Sequence, residues 1–121
     1  MGAEGVKQAV VVGAEVAAWS PSRATETIRR YAASPGLAVS FKLHAKERLA
    51  ERNLTMSDVL HVLKTGYVYA DAAAATQAGL FKYAMEGTSP NSMGRSLRVI
   101  VIPSQSRMEL KIVTVMWVDE S

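Results

Sequence analysis

The sequence contains no cysteine, and its apolar residues form no long run. Without cysteine there is no disulfide framework, no thiolate zinc ligand and no cysteine nucleophile, so we expect a reducing, cytoplasmic location. The longest apolar stretch near the start, residues 9–19, is interrupted by Glu15 and lacks a preceding basic region. It is too short to span a bilayer. The sequence therefore predicts neither a signal peptide nor a membrane helix, and no membrane partner.

The composition is that of a globular protein, with 49% hydrophobic and 21% charged residues in a chain of 121. This length suits a single domain. We expect one domain over residues 1–121, with an N-terminal extension of uncertain structure (1–22) and a core (23–118). The net charge is +3, and part of the basic excess lies between residues 23 and 64. An excess of this size tolerates a phosphate-bearing partner but does not by itself indicate one.

Three helices are predicted in the first half of the chain. Ser20 and Pro21 are typical of a helix start, and the helix should run to about Ala33. The second helix, KLHAKERLAER, places Ala45 and Leu49 on a core-facing stripe, and Asn53 suits the left-handed residue that ends it. The third begins with a capping box, TMSD, and ends near Thr65 before Gly66.

After Gly66 the hydrophobic period changes to two, which is typical of strands. Four strands are predicted, YVYAD, LFKYAME, LRVIVIP and ELKIVTVMWV, and LAVSFK is a short strand or an extended lead-in before the second helix. The predicted fold class is α+β, with N-terminal helices packed on a C-terminal four-stranded, mainly antiparallel sheet. Because the last two strands are apolar on both faces, we expect them to be central and covered on both sides.

The second helix also carries the most informative polar pattern. His44, Arg48 and Arg52 are spaced by four residues, so they form one stripe along a flank of the helix and can face a single anion. An ordinary solvated helix surface, with the arginines paired to Glu47 and Glu51, is the structural alternative.

The strands add further candidates. Tyr83 shares a face with Phe81 and Met85 and should point to the core, whereas Lys82 lies opposite. Arg98 shares a face with isoleucines, so it requires an anion, either a carboxylate of this protein or a ligand. Thr114 is placed similarly. No metal is predicted, because the two histidines, His44 and His61, are distant in sequence and no ligand motif accompanies them.

The stretches SFKLHAKERLAERNLTMSDVLHVLKTG, FKYAMEG, GRSLRVIVI and IVTVMWV together resemble a family of small bacterial domains of unknown function, over residues 24–118. The family pattern has His-Ala, two arginines four residues apart, and a closing strand with Val-Thr-Val. Its layout is similar to the RelE and BrnT toxins and other small metal-independent ribonucleases. The resemblance implies that His44, Arg48 and Arg52 belong to the family motif, with Arg98 and Thr114 contributing from the sheet.

Two hypotheses follow. In the first, the protein is a metal-independent endoribonuclease of toxin type without a cofactor, which needs a base, an acid and fixed positive charge at the phosphate. His44 would be the base or acid, the three arginines would hold the phosphate, Tyr83 or Lys82 would supply the second proton-transfer group, and Lys82 and Thr114 would contact the substrate.

In the second, the same fold is a non-catalytic binding or regulatory module, and the stripe is a structural network with Glu47, Glu51 or Asp58. The partners considered are RNA, a cognate antitoxin protein and a second copy of the chain. The two hypotheses differ in whether His44, Arg48 and Arg98 share an open concavity or are tied to internal carboxylates.

Overall fold

The computed structural model describes residues 17–120, which form three helices and six strands. In chain order these are α1 (Pro21–Ala32), β1 (Ala38–Phe41), α2 (Leu43–Glu51), α3 (Met56–Thr65), β2 (Tyr67–Val68), β3 (Ala73–Ala74), β4 (Phe81–Gly87), β5 (Leu97–Ser104) and β6 (Glu109–Trp117). The predicted α+β class is confirmed. Most of the N-terminal extension, residues 1–22, whose structure the sequence left uncertain, lies outside the described residues.

The predicted helix boundaries are confirmed by local contacts. The Ser20 hydroxyl accepts a hydrogen bond from the Arg23 N–H at 3.3 Å, and Pro21 is the first residue of α1. Asn53 has a φ of 56°, the left-handed conformation predicted after the second helix. Each boundary thus follows from a residue type that satisfies or ends the helical backbone.

Gly66 follows α3 as predicted, but a close approach makes it necessary there. Its φ is −81°, so a left-handed conformation is not involved. A Cβ at this position would lie 2.5 Å from the carbonyl oxygen of Glu86 and 2.7 Å from that of Val62. The absence of a side chain therefore lets the end of α3 approach the backbone of β4.

The strands form one mixed sheet in the order β1-β6-β5-β4-β2, with β3 also paired to β4. Strands β1 and β6 are parallel, with Ala38 opposite Glu109, and the other pairs are antiparallel. The sequence predicted four strands, so the sheet differs by two. The stretch before α2, for which the sequence left a short strand or an extended lead-in open, forms β1 and pairs along β6. Ala73 and Ala74, which lie in a predicted linker, form β3 and pair with β4. Short strands such as these depend on hydrogen bonds from a neighbouring strand, and their own hydrophobic pattern is too weak to predict them.

One hydrophobic core unites the three helices with one face of the sheet. Its members from the long strands include Tyr83 and Met85, Val99 and Val101, and Ile112 and Val115. Alternate residues of these strands point the other way. We call that side the outer face, and it includes Lys82, Ala84, Glu86, Arg98, Ile100, Ile102, Glu109, Lys111, Thr114 and Met116. None of these residues belongs to the core, and all but Ile102 are half-buried.

Strands β5 and β6 are central in the sheet, as their sequences predict. The expected helix cover on both sides is not found within residues 17–120. Helix α1 packs against α3 and β2, so it lies in the same layer as the other helices. The outer face is therefore an accessible surface of the described domain.

A β-bulge in β6 sets the direction of its side chains. Ile100 is opposite Thr114, but the next residue, Val101, is opposite Ile112, so Val113 has no partner. The extra residue reverses the alternation, which lets Val115 enter the core after Ile112 while Thr114 stays on the outer face. A strand with apolar residues at neighbouring positions can thus contribute side chains to both faces of the sheet.

Asp58 joins α3 to the loop between β4 and β5. Its buried carboxylate accepts hydrogen bonds from the backbone N–H of Thr55 (2.8 Å) and from the Thr55 hydroxyl (3.1 Å), and the predicted capping box is present. The same carboxylate accepts hydrogen bonds from the backbone N–H of Asn91 (3.1 Å) and from its Nδ2 (3.0 Å). Burial by itself would raise the pKa of Asp58, but these hydrogen bonds outweigh it and lower the pKa well below its usual range. The charged carboxylate is the form that the fold stabilises.

Acid should therefore weaken this contact. Because the pKa of Asp58 is lower in the folded chain than in the unfolded chain, where it is near 4, its stabilisation is complete at neutral pH. It declines as the pH falls below about 5. We expect Asp58→Asn to lower the free energy of unfolding by about 2 kcal/mol at pH 7 and to reduce the acid sensitivity, measured by urea unfolding across pH.

The matched control is Asp71→Asn, which changes an exposed aspartate of the loop after β2 and should leave both quantities unchanged. An Asp58→Asn variant with wild-type stability and a wild-type pH profile would contradict the assigned role.

Candidate functional site

The predicted site residues lie in three separate parts of the described structure. His44, Arg48 and Arg52 are on α2, whose Ala45 and Leu49 face the core. A second group, Lys82, Arg98 and Thr114, lies on the outer face, and Tyr83 lies on the core face. The structure thus keeps the helical stripe together but does not bring Arg98 or Tyr83 to it.

Both arginines of the stripe bind acidic side chains of the same chain. Arg48 forms an ion pair with Glu51, and Arg52 binds both oxygens of Glu120, with Nη2 2.8 Å from Oε1 and 2.6 Å from Oε2. His44 is exposed and has no hydrogen-bond partner among the described residues. Of the three, only the imidazole is open to an external ligand.

Glu120 ties the end of β6 to the end of α2. Besides binding Arg52, its Oε1 accepts a hydrogen bond from the backbone N–H of Trp117 at 2.7 Å. The Arg52 hydrogen bond lowers the pKa of Glu120, and the Trp117 N–H contributes further. This arrangement is a structural clamp in which the guanidinium is already neutralised.

Arg98 has the anion that its position on an apolar face requires. Its Nε lies 2.8 Å from Oε2 of Glu86, which is directly opposite on the neighbouring strand. Of the two anions that the sequence allowed, a carboxylate of this protein occupies the position. The pair stabilises the outer face as a cross-strand contact of opposite charges.

Tyr83 points into the core, as predicted. Its hydroxyl accepts a hydrogen bond from the backbone N–H of Trp19 at 2.9 Å, and the two aromatic rings stack with centroids 5.5 Å apart. Burial raises the pKa of Tyr83, and the Trp19 hydrogen bond offsets part of that rise. The ring also lines a cavity of about 420 Å³ with Trp19, Phe81 and Pro103. Tyr83 is thus separated by the sheet from Arg98.

The outer face holds a different cluster of basic residues. Lys82 lines a cleft of about 300 Å³ together with Lys42 and Lys111, and we call it the lysine cleft. Its other lining residues are Ala75, Thr76, Gln77, Leu80, Ile102 and Val113. The strand register explains the convergence, because Lys111 is opposite Ile102 on one side and Ser40 on the other. Lys82 immediately precedes Tyr83 in β4, and Tyr83 is opposite Val101 of β5.

No carboxylate lines the lysine cleft, and no ion pair within residues 17–120 involves its three lysines. Glu109 lies two residues before Lys111 and lines an adjoining cleft together with Arg107 and Lys111, but it forms no ion pair with that lysine. The arginines described above, by contrast, are neutralised internally. The lysine cleft is consequently the place where clustered positive charge is available to a ligand.

Sequence reasoning identified Lys82 but missed Lys42 and Lys111. Their signal in the sequence is weak, because each is a single lysine at a strand position or strand end. Only the parallel pairing of β1 with β6 places Lys42 beside Lys111. In the described part of the chain no three His, Cys, Asp or Glu side chains form a group suited to a metal ion. None of the described helices is long and apolar enough to cross a bilayer.

The family of the chain follows from comparison with family models. Residues 41–117, which run from the end of β1 to the end of β6, match the model described as Domain of unknown function (DUF4258), and the chain belongs to this family. The match contains α2, the outer face and all three lysines of the lysine cleft. A comparison with curated proteins and one with solved structures gave no match.

The clamp between Arg52 and Glu120 is testable by a double-mutant cycle. We expect Arg52→Ala and Glu120→Ala each to lower the free energy of unfolding by about 1 kcal/mol, with a coupling of about 0.5–1 kcal/mol, because the Arg52 side chain is only 15% exposed. The more exposed Arg95–Asp119 pair serves as the control and should show no measurable coupling. Equal coupling in both cycles would argue against the clamp.

Proposed function

We propose that this domain is a non-catalytic module that binds RNA through the lysine cleft of the outer face. One observation carries the proposal: Lys42, which directly follows β1, Lys82 of β4 and Lys111 of β6 line one open cleft without a carboxylate. RNA offers the complementary charge in a regular array of phosphates, and its binding proteins neutralise such phosphates mainly with lysine and arginine.

The spacing of the lysines suits a phosphate backbone better than a single small anion. Lys82 and Lys111 flank β5, so their backbones are about 10 Å apart, at two strand spacings. Lysine side chains are flexible and act as point charges, whereas arginine holds one anion bidentately. Three separated ammonium groups at the rim of a cleft can contact neighbouring phosphates of one strand, and Thr114 and the half-buried Ile100 extend the surface.

The internal ion pairs support a binding role over a catalytic one. A ribonuclease of toxin type needs unpaired positive charge at the phosphate, together with an acid and a base in reach. Here Arg48, Arg52 and Arg98 are neutralised by Glu51, Glu120 and Glu86. The likeness to RelE and BrnT toxins, their activity and an antitoxin partner stay predictions from the sequence.

Binding should depend on the lysine cleft and on salt. We expect single-stranded RNA to bind with a slope of log K against log salt near −2, the value of about −0.7 per contacted phosphate for three lysines. The triple variant Lys42→Gln, Lys82→Gln, Lys111→Gln should weaken binding by about 10–100-fold at 0.1 M salt and flatten the slope. Fluorescence anisotropy of a labelled oligonucleotide measures both quantities.

A matched triple variant separates local from net charge. Arg23, Lys46 and Lys64 are exposed and lie on the helices, so replacing all three with Gln removes the same charge from another surface. This control variant should retain most of the RNA affinity of the wild type and the same slope of log K against log salt. If both triple variants weaken binding equally, or if wild-type protein does not bind RNA, the proposal is wrong.

Catalysis is tested separately in the presence of EDTA. We expect the wild-type protein to leave RNA intact and His44→Ala to bind RNA as wild type does, because His44 lies on α2 and outside the lysine cleft. Gel analysis of RNA length after prolonged incubation provides the measurement. Cleavage that is lost in His44→Ala would instead establish the ribonuclease hypothesis and contradict the non-catalytic role.

A further inference from the structure

Two neighbouring tyrosines at the edge of the sheet are open to solvent. Tyr67 is 52% exposed and Tyr69 is 67% exposed, although large aromatic rings usually bury much of their surface. Their ring centroids are 6.1 Å apart, with an angle of 33° between the planes. Together they form a small exposed aromatic surface at β2, which we call the tyrosine pair.

An arginine holds the tyrosine pair in place. The guanidinium carbon of Arg29 lies 4.4 Å from the centroid of the Tyr67 ring. Its Nε donates to the Gly66 carbonyl at 2.9 Å and its Nη2 to the Thr65 carbonyl at 2.8 Å. Because these acceptors are neutral, the guanidinium retains its positive charge beside the ring. The result is an ordered, electropositive aromatic surface.

The strand register places Tyr67, the member of the pair that belongs to β2, on the same side of the sheet as the lysine cleft. Tyr67 is opposite Glu86, an outer-face residue, whereas Val68 is opposite Met85 of the core. Lys82 lies four residues from Glu86 along β4, a distance of about 13 Å at 3.3 Å per residue. A strand of about four stacked nucleotides, at 3.4 Å each, spans that distance.

Two carboxylates lie near the path between the two features, Glu86 on β4 and the exposed Asp71 in the loop between β2 and β3. Glu86 lies on this path, but Arg98 neutralises it through the 2.8 Å contact described above. The neighbouring row of the outer face contains Ala84, Ile100 and Thr114, which are uncharged. A polyanion can therefore run from the lysine cleft to the tyrosine pair along β4.

We infer that the tyrosine pair is a stacking site for unpaired bases, so that the module selects single-stranded over double-stranded nucleic acid. The inference rests on the proposed RNA binding and adds the form of RNA that is recognised. Every base has a π face that stacks on an aromatic ring, but in a duplex both faces are already covered by neighbouring bases. The lysines would hold phosphates and the tyrosines would hold bases of the same strand.

The experiment combines a protein change with a ligand change. The ligands are a labelled RNA of about eight nucleotides, its duplex, an abasic strand of the same length and the DNA of the same sequence. We expect Tyr67→Ala, Tyr69→Ala to weaken binding of the single-stranded RNA about tenfold without changing its salt slope. Tyr67→Phe, Tyr69→Phe keeps the rings and should bind as wild type does.

The other ligands identify the cause of the loss. The abasic strand should bind the wild type about as weakly as the RNA binds the double Ala variant, and that variant should bind both alike. The duplex should bind the wild type more weakly than the single strand does. If the double Ala variant loses as much affinity for the single-stranded DNA as it loses for the RNA, this would support base stacking that does not distinguish ribose from deoxyribose.

The two proposals fail in distinguishable ways. If the lysine variants lose binding but the double Ala variant binds RNA as wild type does, the stacking site is refuted and the RNA-binding role stands. Loss in the double Phe variant as large as in the double Ala variant would also refute stacking, because the rings remain. If wild-type protein binds none of the nucleic acids, the proposed function itself fails.

Discussion

All three helices pack on a single face of the sheet, and the other features of the described structure depend on this constraint. The strands β4, β5 and β6 contribute alternate apolar side chains to the core, which the helices cover. The residues between them are then directed to the outer face, where no described helix lies. Burial of one face thus contributes the hydrophobic free energy of folding, and the opposite face is not covered by any described helix.

The distribution of charge follows the same division. Arg48, Arg52, Arg95 and Arg98 are bound by carboxylates of the chain, and the pair between Arg52 and Glu120 connects α2 with the end of β6. Lysines of the cleft have no such partners in the described residues. Internal arginine pairs and available lysines therefore serve different purposes, one structural and one directed outward, even though both add to the same net charge.

Two details of β6 determine what the outer face presents. The bulge at Val113 shifts the alternation, so Thr114 and Met116 face outward although Ile112 and Val115 face the core. The parallel pairing with β1 then brings Lys42 to the same cleft as Lys111. A regular β6 would exchange the faces of the residues beyond Val113, and without β1 the cleft would lose one of its three ammonium groups.

The helix boundaries and strand faces were largely predictable because they depend on neighbours in sequence. Ser20 before Pro21, the TMSD capping box and Asn53 each act within one helical turn, and alternation places Tyr83 on the core face and Arg98 on a face shared with isoleucines. The need of Arg98 for an anion was likewise visible, since a guanidinium beside buried isoleucines requires a compensating charge.

Tertiary structure alone decided which residues meet across the sheet. Glu86 neutralises Arg98, Glu120 binds Arg52, and lysines from three separate segments share one cleft, and each of these contacts joins different elements of the chain. Local patterns cannot specify these contacts, because they depend on strand order, register and a single extra residue in β6. The sequence by itself determined the three helices and the long strands, whereas the pairing of strands decided which charges are neutralised within the fold and which are not.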